Sequence, residues 1–228
     1  MHRKVWGLVP AGGSGERFGG DTPKQLLAVA GKPLLAWTLE RLIDSGLAGV
    51  TVALPQGWLA RVPEIFDKHP AVHWVAGGAT RQESVAACLA ASPADVDLVL
   101  VHDGVRPAVS VADVQATIAA VGDDDGAILG RPVVDTLKRL DGTRVTGTVD
   151  RRSLFRAETP QVFKREVLAR ALQSSAQDGF DSTDEAAIVE RLGAVRINTA
   201  VAVRPNPKLT RRQDLRWVEL LLREIGDA

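Results

Sequence analysis

The 228-residue chain balances 28 Lys and Arg against 28 Asp and Glu, and 45% of its residues are apolar. Balanced charge excludes a global field aimed at nucleic acid or a membrane surface, and the apolar share suffices for the core of one domain. The one cysteine, Cys88, excludes a disulfide framework within the chain and fits a reducing, cytoplasmic compartment, and no apolar run matches a membrane span or a signal peptide.

The first predicted element is a buried strand over residues 5–9. It runs into LVPAGGSGERFGGDTPKQ (8–25), where Gly12, Gly13, Gly15, Gly19 and Gly20 surround Arg17 and precede Lys24. Glycines let backbone N–H groups turn inward around an anion, and Arg and Lys add charge where phosphate charge collects. The loop therefore reads as a nucleoside triphosphate site. It is not a P-loop, because the one Gly-Lys pair, Gly31-Lys32, is followed by Pro33, and Leu26 stands where the upstream glycine belongs. Nor is it a dinucleotide fingerprint: counted from Gly13, the third glycine position holds Phe18, and the next strand ends at Pro55 instead of an acid.

A helix over 34–45, strands over 50–54 and 72–75, and a helix over 82–91 follow, the last holding Cys88 as a buried, inert thiol. A strand over 98–101, a helix over 111–121 and a strand over 127–129 continue the alternation. Short strands buried on both faces between helices predict an α/β, Rossmann-like domain with a mainly parallel sheet. The loops after Val9, Val75 and Val101 then leave from the same sheet edge, where open α/β sheets bind ligands.

The segment 133–149, VVDTLKRLDGTRVTGTV, interrupts this pattern with β-branched residues and an Asp141-Gly142 turn. It reads as a projecting hairpin, and a two-stranded ribbon is marginal alone, so a second subunit is its natural support. Helices over 165–175, 184–192 and 213–224 complete the chain. Thr183 reads as the cap of the second and Thr210 as the cap of the third.

The loop form G-G-x-G-x-R-x(6)-K resembles the signature of sugar-phosphate nucleotidyltransferases. GGATRQESV (77–85), VHDGVRP (101–107), PVVDTLKR (132–139), TVDR (148–151), AETPQVF (157–163), STDEA (182–186) and NPKLTRRQDL (206–215) occur in the order found in one family, the 2-C-methyl-D-erythritol 4-phosphate cytidylyltransferases of the non-mevalonate isoprenoid pathway. The resemblance covers essentially the whole chain. It implies one cytidylyltransferase domain over 1–228, with 133–149 as the arm that interlocks a homodimer. The implied reaction is Mg²⁺-dependent (or another divalent cation) transfer of CMP from CTP, with neither nucleic acid nor membrane as partner.

By the same resemblance, Arg17 and Lys24 stabilise the pentacoordinate transition state, and Pro10, Ala11, Gly12, Gly13 and Gly15 line CTP. Gly77, Gly78, Arg81 and Ser84 meet base and ribose, although Ala79 stands where many relatives carry an acid. Asp103 and Gly104 lie between the two substrates, with Gly104-Val105 replacing the Ala-Ala of many relatives. Asp103 is the expected protein ligand for the cation, whose other ligands come from CTP phosphates and water. Arg106, Thr136, Arg151, Thr159, Thr183 and Lys208 hold the sugar phosphate, and Arg151 and Lys208 also serve catalysis. Arg151 follows the arm and so reaches a partner's site. Two other readings stay open at this point: a ribitol-5-phosphate cytidylyltransferase, and a catalytically silent nucleotide-binding subunit.

Overall fold

A computed structural model describes residues 3–13, 22–66 and 69–226. Its strands are β1 (Val5–Pro10), β2 (Ala28–Val29), β3 (Lys32–Pro33), β4 (Gly49–Leu54), β5 (Val72–Ala76), β6 (Leu98–Val101), β7 (Gly126–Pro132), β8 (Lys138–Asp141), β9 (Arg144–Thr148), β10 (Phe155–Lys164) and β11 (Ile197–Val201). Its helices are α1 (Leu34–Asp44), α2 (Val62–Ile65), α3 (Arg81–Ala90), α4 (Val111–Ala120), α5 (Arg165–Asp178), α6 (Glu185–Glu190) and α7 (Leu215–Gly226).

Seven strands form one sheet in the order β11-β7-β10-β6-β1-β4-β5. Every neighbouring pair is parallel except those of β10, which runs antiparallel to both β6 and β7. This is the mainly parallel, helix-flanked sheet expected from the alternating pattern. Strands β1, β4 and β6 are apolar on both faces because each face is covered: Val9, Val52 and Leu100 pack into one core layer, and Leu8, Ala53 and Val101 into the other. Cys88 is fully buried in the second layer, and burial pushes its thiol up to about 12, so it is the inert core thiol anticipated. Since β1 has β4 on one side and β6 on the other, the chain's winding reverses beside β1, and a crevice opens at the carboxyl ends of these strands.

A third cluster ties the C-terminal helix to this edge. Leu209, Val218 and Leu222 pack against Val29, Leu34, Trp37 and Val105. Leu209 N–H donates to the Val105 carbonyl at 2.9 Å, and the Trp37 indole donates to the Val29 carbonyl at 2.9 Å. Among the described residues no helix is long and apolar enough to cross a membrane.

Two strands of the seven-stranded sheet escaped the sequence reading, as did the two-residue β2 and β3. Pro160 lies within β10, and a proline argues against a central strand because it cannot donate to the ladder. The structure accommodates it at a register shift between Ala157 and Gln161 in the pairing with β7. Strand β11 is a short edge strand whose burial is only partial, so it lacks a clear apolar period. The hairpin does form: β8 and β9 pair antiparallel in a sheet of their own, and Gly142 begins the turn with φ +56°. Both predicted caps are corrected. Asp184, not Thr183, caps α6, because its carboxylate reaches the Ala187 N–H at 3.1 Å while Thr183 stays exposed. Thr210 donates to the Lys208 carbonyl at 3.2 Å, and the turn before α7 is instead closed by Asp214, which accepts the Thr210 and Arg211 N–H groups.

Candidate functional site

The carboxyl edge of the sheet holds a cavity of about 320 Å³. Its walls come from residues 10–13 after β1, Lys24 and Gln25, residues 78–81 with Ser84, residues 103–105, and Lys208. The three loops expected to converge do so. Pro10, Ala11, Gly12, Gly13, Lys24, Gly78, Arg81, Ser84, Asp103, Gly104 and Lys208 all reach it. Gly15 and Arg17 lie outside the described residues.

Gly12 is required by close approach. A Cβ on Gly12 would lie 2.9 Å from the Ser84 hydroxyl and 3.2 Å from the Gly77 Cα, so any side chain there would push the first and second loops apart. Gly77 thus backs the cavity wall through Gly12. The Ser84 hydroxyl donates to the Thr80 carbonyl at 3.0 Å and accepts the Gly78 N–H at 3.2 Å. Thr80 caps α3 in a reciprocal box with Glu83, whose carboxylate also takes the Ala79 N–H at 2.6 Å. At Ala79 the methyl side chain offers no polar contact, and the backbone N–H is taken by Glu83. Gln25, which the sequence reading passed over, is buried and donates to the Ala11 and Gly13 carbonyls at 2.5 and 3.2 Å. Its signal was its place in PKQ, beside the lysine.

Asp103 is the electrostatic centre. Its Oδ1 faces Arg81 at 3.1 Å, and its Oδ2 faces Lys208 at 2.9 Å and Arg106 at 3.4 Å. Burial opposes the charge, but the three cations together hold its carboxyl below the usual carboxylate range. Arg81 also pairs with Glu185 at the start of α6, at 2.5 Å. Burial raises Glu185 above its ordinary value, and its Oε2 is buried with no hydrogen-bond partner among the described residues. The α6 N-terminus is latched by Gln161, whose Oε1 accepts the Glu185 and Ala186 N–H groups and whose Nε2 donates to Asp184. So the TPQ and STDEA motifs meet, and Glu185 is a second site residue the sequence reading missed.

A neighbouring cavity of about 520 Å³ shares Lys208 with the first and is lined also by Arg106, Arg131, Arg156, Glu158 and Asn206. Arg131 and Arg156 pair with buried Glu158 at 3.5 and 3.0 Å. Thr159 is buried beneath the seam of the two cavities, its hydroxyl on the Asp103 N–H at 3.0 Å. Thr136, Arg151 and Thr183 are not brought into either cavity. Thr136 and Arg151 are exposed at the root of the hairpin, where Arg151 donates to the Val134 carbonyl. Thr183 is exposed just before α6.

His102 is fully buried under this site, and burial lowers its pKa to about 4. Below pH 6.5 the unfolded chain takes up a proton that the native imidazole refuses. Stability therefore falls as pH drops from 6.5 towards 4, by roughly 3 kcal/mol in total from this residue. Glu185, raised by burial, titrates in the opposite sense. The check is thus a difference: urea unfolding at pH 7 and pH 4.5 should show a steeper acid loss for the wild type than for His102→Asn, and equal slopes would refute it.

The match expected from the motifs is found across the whole chain. The family model described as "IspD: 2-C-methyl-D-erythritol 4-phosphate cytidylyltransferase" matches residues 5–224. The 2-C-methyl-D-erythritol 4-phosphate cytidylyltransferase of Xanthomonas campestris pv. campestris strain B100 is 43% identical over an alignment covering all of this chain and 89% of that protein. Among solved structures, the enzyme of that name from Thermus thermophilus superposes with a TM-score of 0.79 at 33% identity, covering 98% of this chain and all of the other. The one from Francisella tularensis gives 0.82 at 25% identity, covering 96% and 99%.

Proposed function

The chain belongs to the 2-C-methyl-D-erythritol 4-phosphate cytidylyltransferase family, and on that premise we propose that its reaction runs at the seam of the two cavities. The protein is a cytidylyltransferase that transfers CMP from CTP to 2-C-methyl-D-erythritol 4-phosphate and releases pyrophosphate, in isoprenoid precursor synthesis. CTP occupies the cavity walled by Gly12, Gly78 and Ser84, and the sugar phosphate enters beside Arg106 and Lys208. The observation that carries this placement is Lys208, which lines both cavities while paired with Asp103.

The nucleophile is a phosphate oxygen, already ionised near neutral pH, so no general base is needed. The barrier is the meeting of two anions and the growth of negative charge at the α-phosphorus. Lys24, aimed into the cavity from the turn after Pro23, neutralises that charge, and the backbone of residues 10–13 lines the nucleotide. Arg17 has the same role by its place in the loop. Lys208 and Arg106 hold the incoming phosphate on the far side of Asp103.

A divalent cation fits this donor set in a limited way. Among the described residues no three His, Cys, Asp or Glu side chains cluster to cage a metal, but Mg²⁺ commonly takes one or two carboxylates together with substrate phosphates and water. Asp103 is the one carboxylate among the lining residues of the CTP cavity, but both of its oxygens already face Arg81, Lys208 and Arg106, so the cation would be held chiefly by CTP phosphates and water. When bound, the cation neutralises triphosphate charge and orients the leaving group.

Thr136 and Arg151 act in the neighbouring subunit of a homodimer. The hairpin supports this, since Val134 is 77% and Leu140 58% exposed, apolar surface that a second copy would cover. Sedimentation at micromolar concentration should give a dimer, and Leu140→Asp with Val145→Asp should shift it to monomer with loss of activity. A fully active wild-type monomer would refute the arm's role. The substrate is tested by pyrophosphate release from CTP: turnover with 2-C-methyl-D-erythritol 4-phosphate should far exceed that with ribitol 5-phosphate, and the reverse order would overturn the assignment.

A further inference from the structure

His102 touches neither cavity, yet its two ring nitrogens hold both ends of the loop that presents Asp103. Residues 103–106 form a turn closed by the Arg106 N–H on the Asp103 carbonyl at 3.0 Å. At the end of that turn, the Arg106 carbonyl lies 3.1 Å from His102 Nε2. At its start, the Asp103 N–H donates to the Thr159 hydroxyl at 3.0 Å, and that hydroxyl lies 3.0 Å from His102 Nδ1.

The direction of every hydrogen follows. A carbonyl can only accept, so Nε2 carries the imidazole proton. The fully buried ring meets a carbonyl and a hydroxyl and, among the described residues, no carboxylate that would pair a second proton, so it is neutral and Nδ1 is a bare acceptor. Thr159 must then donate its hydroxyl hydrogen to Nδ1 while its oxygen accepts the Asp103 N–H. The backbone on either side is fixed independently: His102 N–H donates to the Leu8 carbonyl at 3.0 Å, and Asn206 donates to the Thr159 carbonyl at 2.8 Å. The imidazole is thus a rigid spacer between two fixed strands, β6 and β10, with the Asp103–Arg106 turn strung across it.

We infer that His102 is a positioning residue for the transfer reaction, acting through the Thr159 hydroxyl and the Arg106 carbonyl to set the Asp103 carboxylate and, through it, Lys208 and Arg106. Thr159, expected to bind the polyol, has its only hydroxyl hydrogen committed to His102. Any contact it makes with a substrate hydroxyl is therefore as acceptor, and the substrate must donate.

The inference rests on the placement of the reaction at this seam, and one of its readouts does not. In wild-type enzyme at neutral pH, imidazole ¹⁵N NMR should show His102 with its proton on Nε2 and a bare Nδ1. A proton on Nδ1 would overturn the relay whatever the activity. Two variants then separate its arms. His102→Gln keeps a donor within reach of the Arg106 carbonyl but loses the Nδ1 acceptor. His102→Asn keeps a short acceptor for Thr159 but loses the Nε2 donor. Each should lower kcat/KM for the sugar phosphate by about 10–100-fold and raise the CTP dissociation constant by a clearly smaller factor, because residues 103–105 form one wall of the CTP cavity while Gly12, Gly78 and Ser84 wall it from outside the turn. Thr159→Val should give a loss of similar size. Combining it with His102→Gln should add little, since both cut the same link. Unchanged kcat/KM in the variants, equal loss of CTP binding, or multiplying losses in the double variant would each overturn the role. Should both His102 variants fail to fold, Thr159→Ser decides: it keeps the hydroxyl and should restore most of what Thr159→Val loses, and failure to do so would count against the relay.

Discussion

Replacing Lys24 with alanine is expected to lower kcat by roughly 10²–10³-fold or more, while CTP binding stays within about tenfold. The lysine follows Pro23, whose backbone sits at φ −54° and ψ 133°, and begins a short helical turn capped by the Leu27 N–H on its own carbonyl. Its approach to the cavity is therefore set by the backbone. In the proposed placement the backbone of residues 10–13 also lines the nucleotide, so one lost cation weakens ground-state binding only modestly. In the transition state a further negative charge grows at the α-phosphorus, where Lys24 has the most to contribute. Steady-state pyrophosphate release paired with equilibrium CTP binding separates the two effects. Wild-type turnover in a correctly folded Lys24→Ala protein would remove the lysine from the chemistry.

The second large effect concerns Arg151. Losing a charged partner of the sugar phosphate, about 1.5–3 kcal/mol, should cut kcat/KM for that substrate by roughly 10–100-fold and leave CTP affinity intact. Arg151 is exposed at the hairpin root, away from both cavities, and in the proposed dimer its target is the sugar phosphate bound by the other chain. Mixing Arg151→Ala with Lys24→Ala chains makes this visible. In a heterodimer one site carries both lesions and the other carries neither, so activity should return towards half the wild-type value per heterodimer. If both groups acted within one chain, both sites would stay damaged. Absence of recovery, with subunit exchange demonstrated, returns Arg151 to a within-chain role.

The sequence made some of this site legible and hid the rest for physical reasons. Gly12, Lys24, Ser84, Asp103 and Lys208 sit in short motifs, and the alternation of strands and helices was enough to bring those motifs to one edge. What Asp103 faces was not legible, because Arg81, Arg106 and Lys208 come from three elements and only packing decides their distances. Glu185 stood in a recognised motif but read as part of a helix start, and its bond to Arg81 joins residues 104 positions apart. Strand β10 was hidden by Pro160, which normally speaks against a central strand. That proline lies between Thr159 and Gln161, the two residues that hold Asp103 and α6, so the irregular place in the sheet is also where the site is tied together. Thr136 was readable as part of an arm and Arg151 as following it, but where an arm lands is a property of two chains.

The packing of Leu209, Val218 and Leu222 under Val105 means that the C-terminal helix is no spare handle. Lys208 is held at the seam by the residue next to it, which is itself anchored by that helix. A protease that clipped α7, or a bulky label that pried it away, would disarm the proposed seam from a distance while leaving the cavity walls at Gly12, Gly78 and Ser84 in place. Such a protein would still be retained on a CTP resin, and retention alone would be a poor assay of an active preparation.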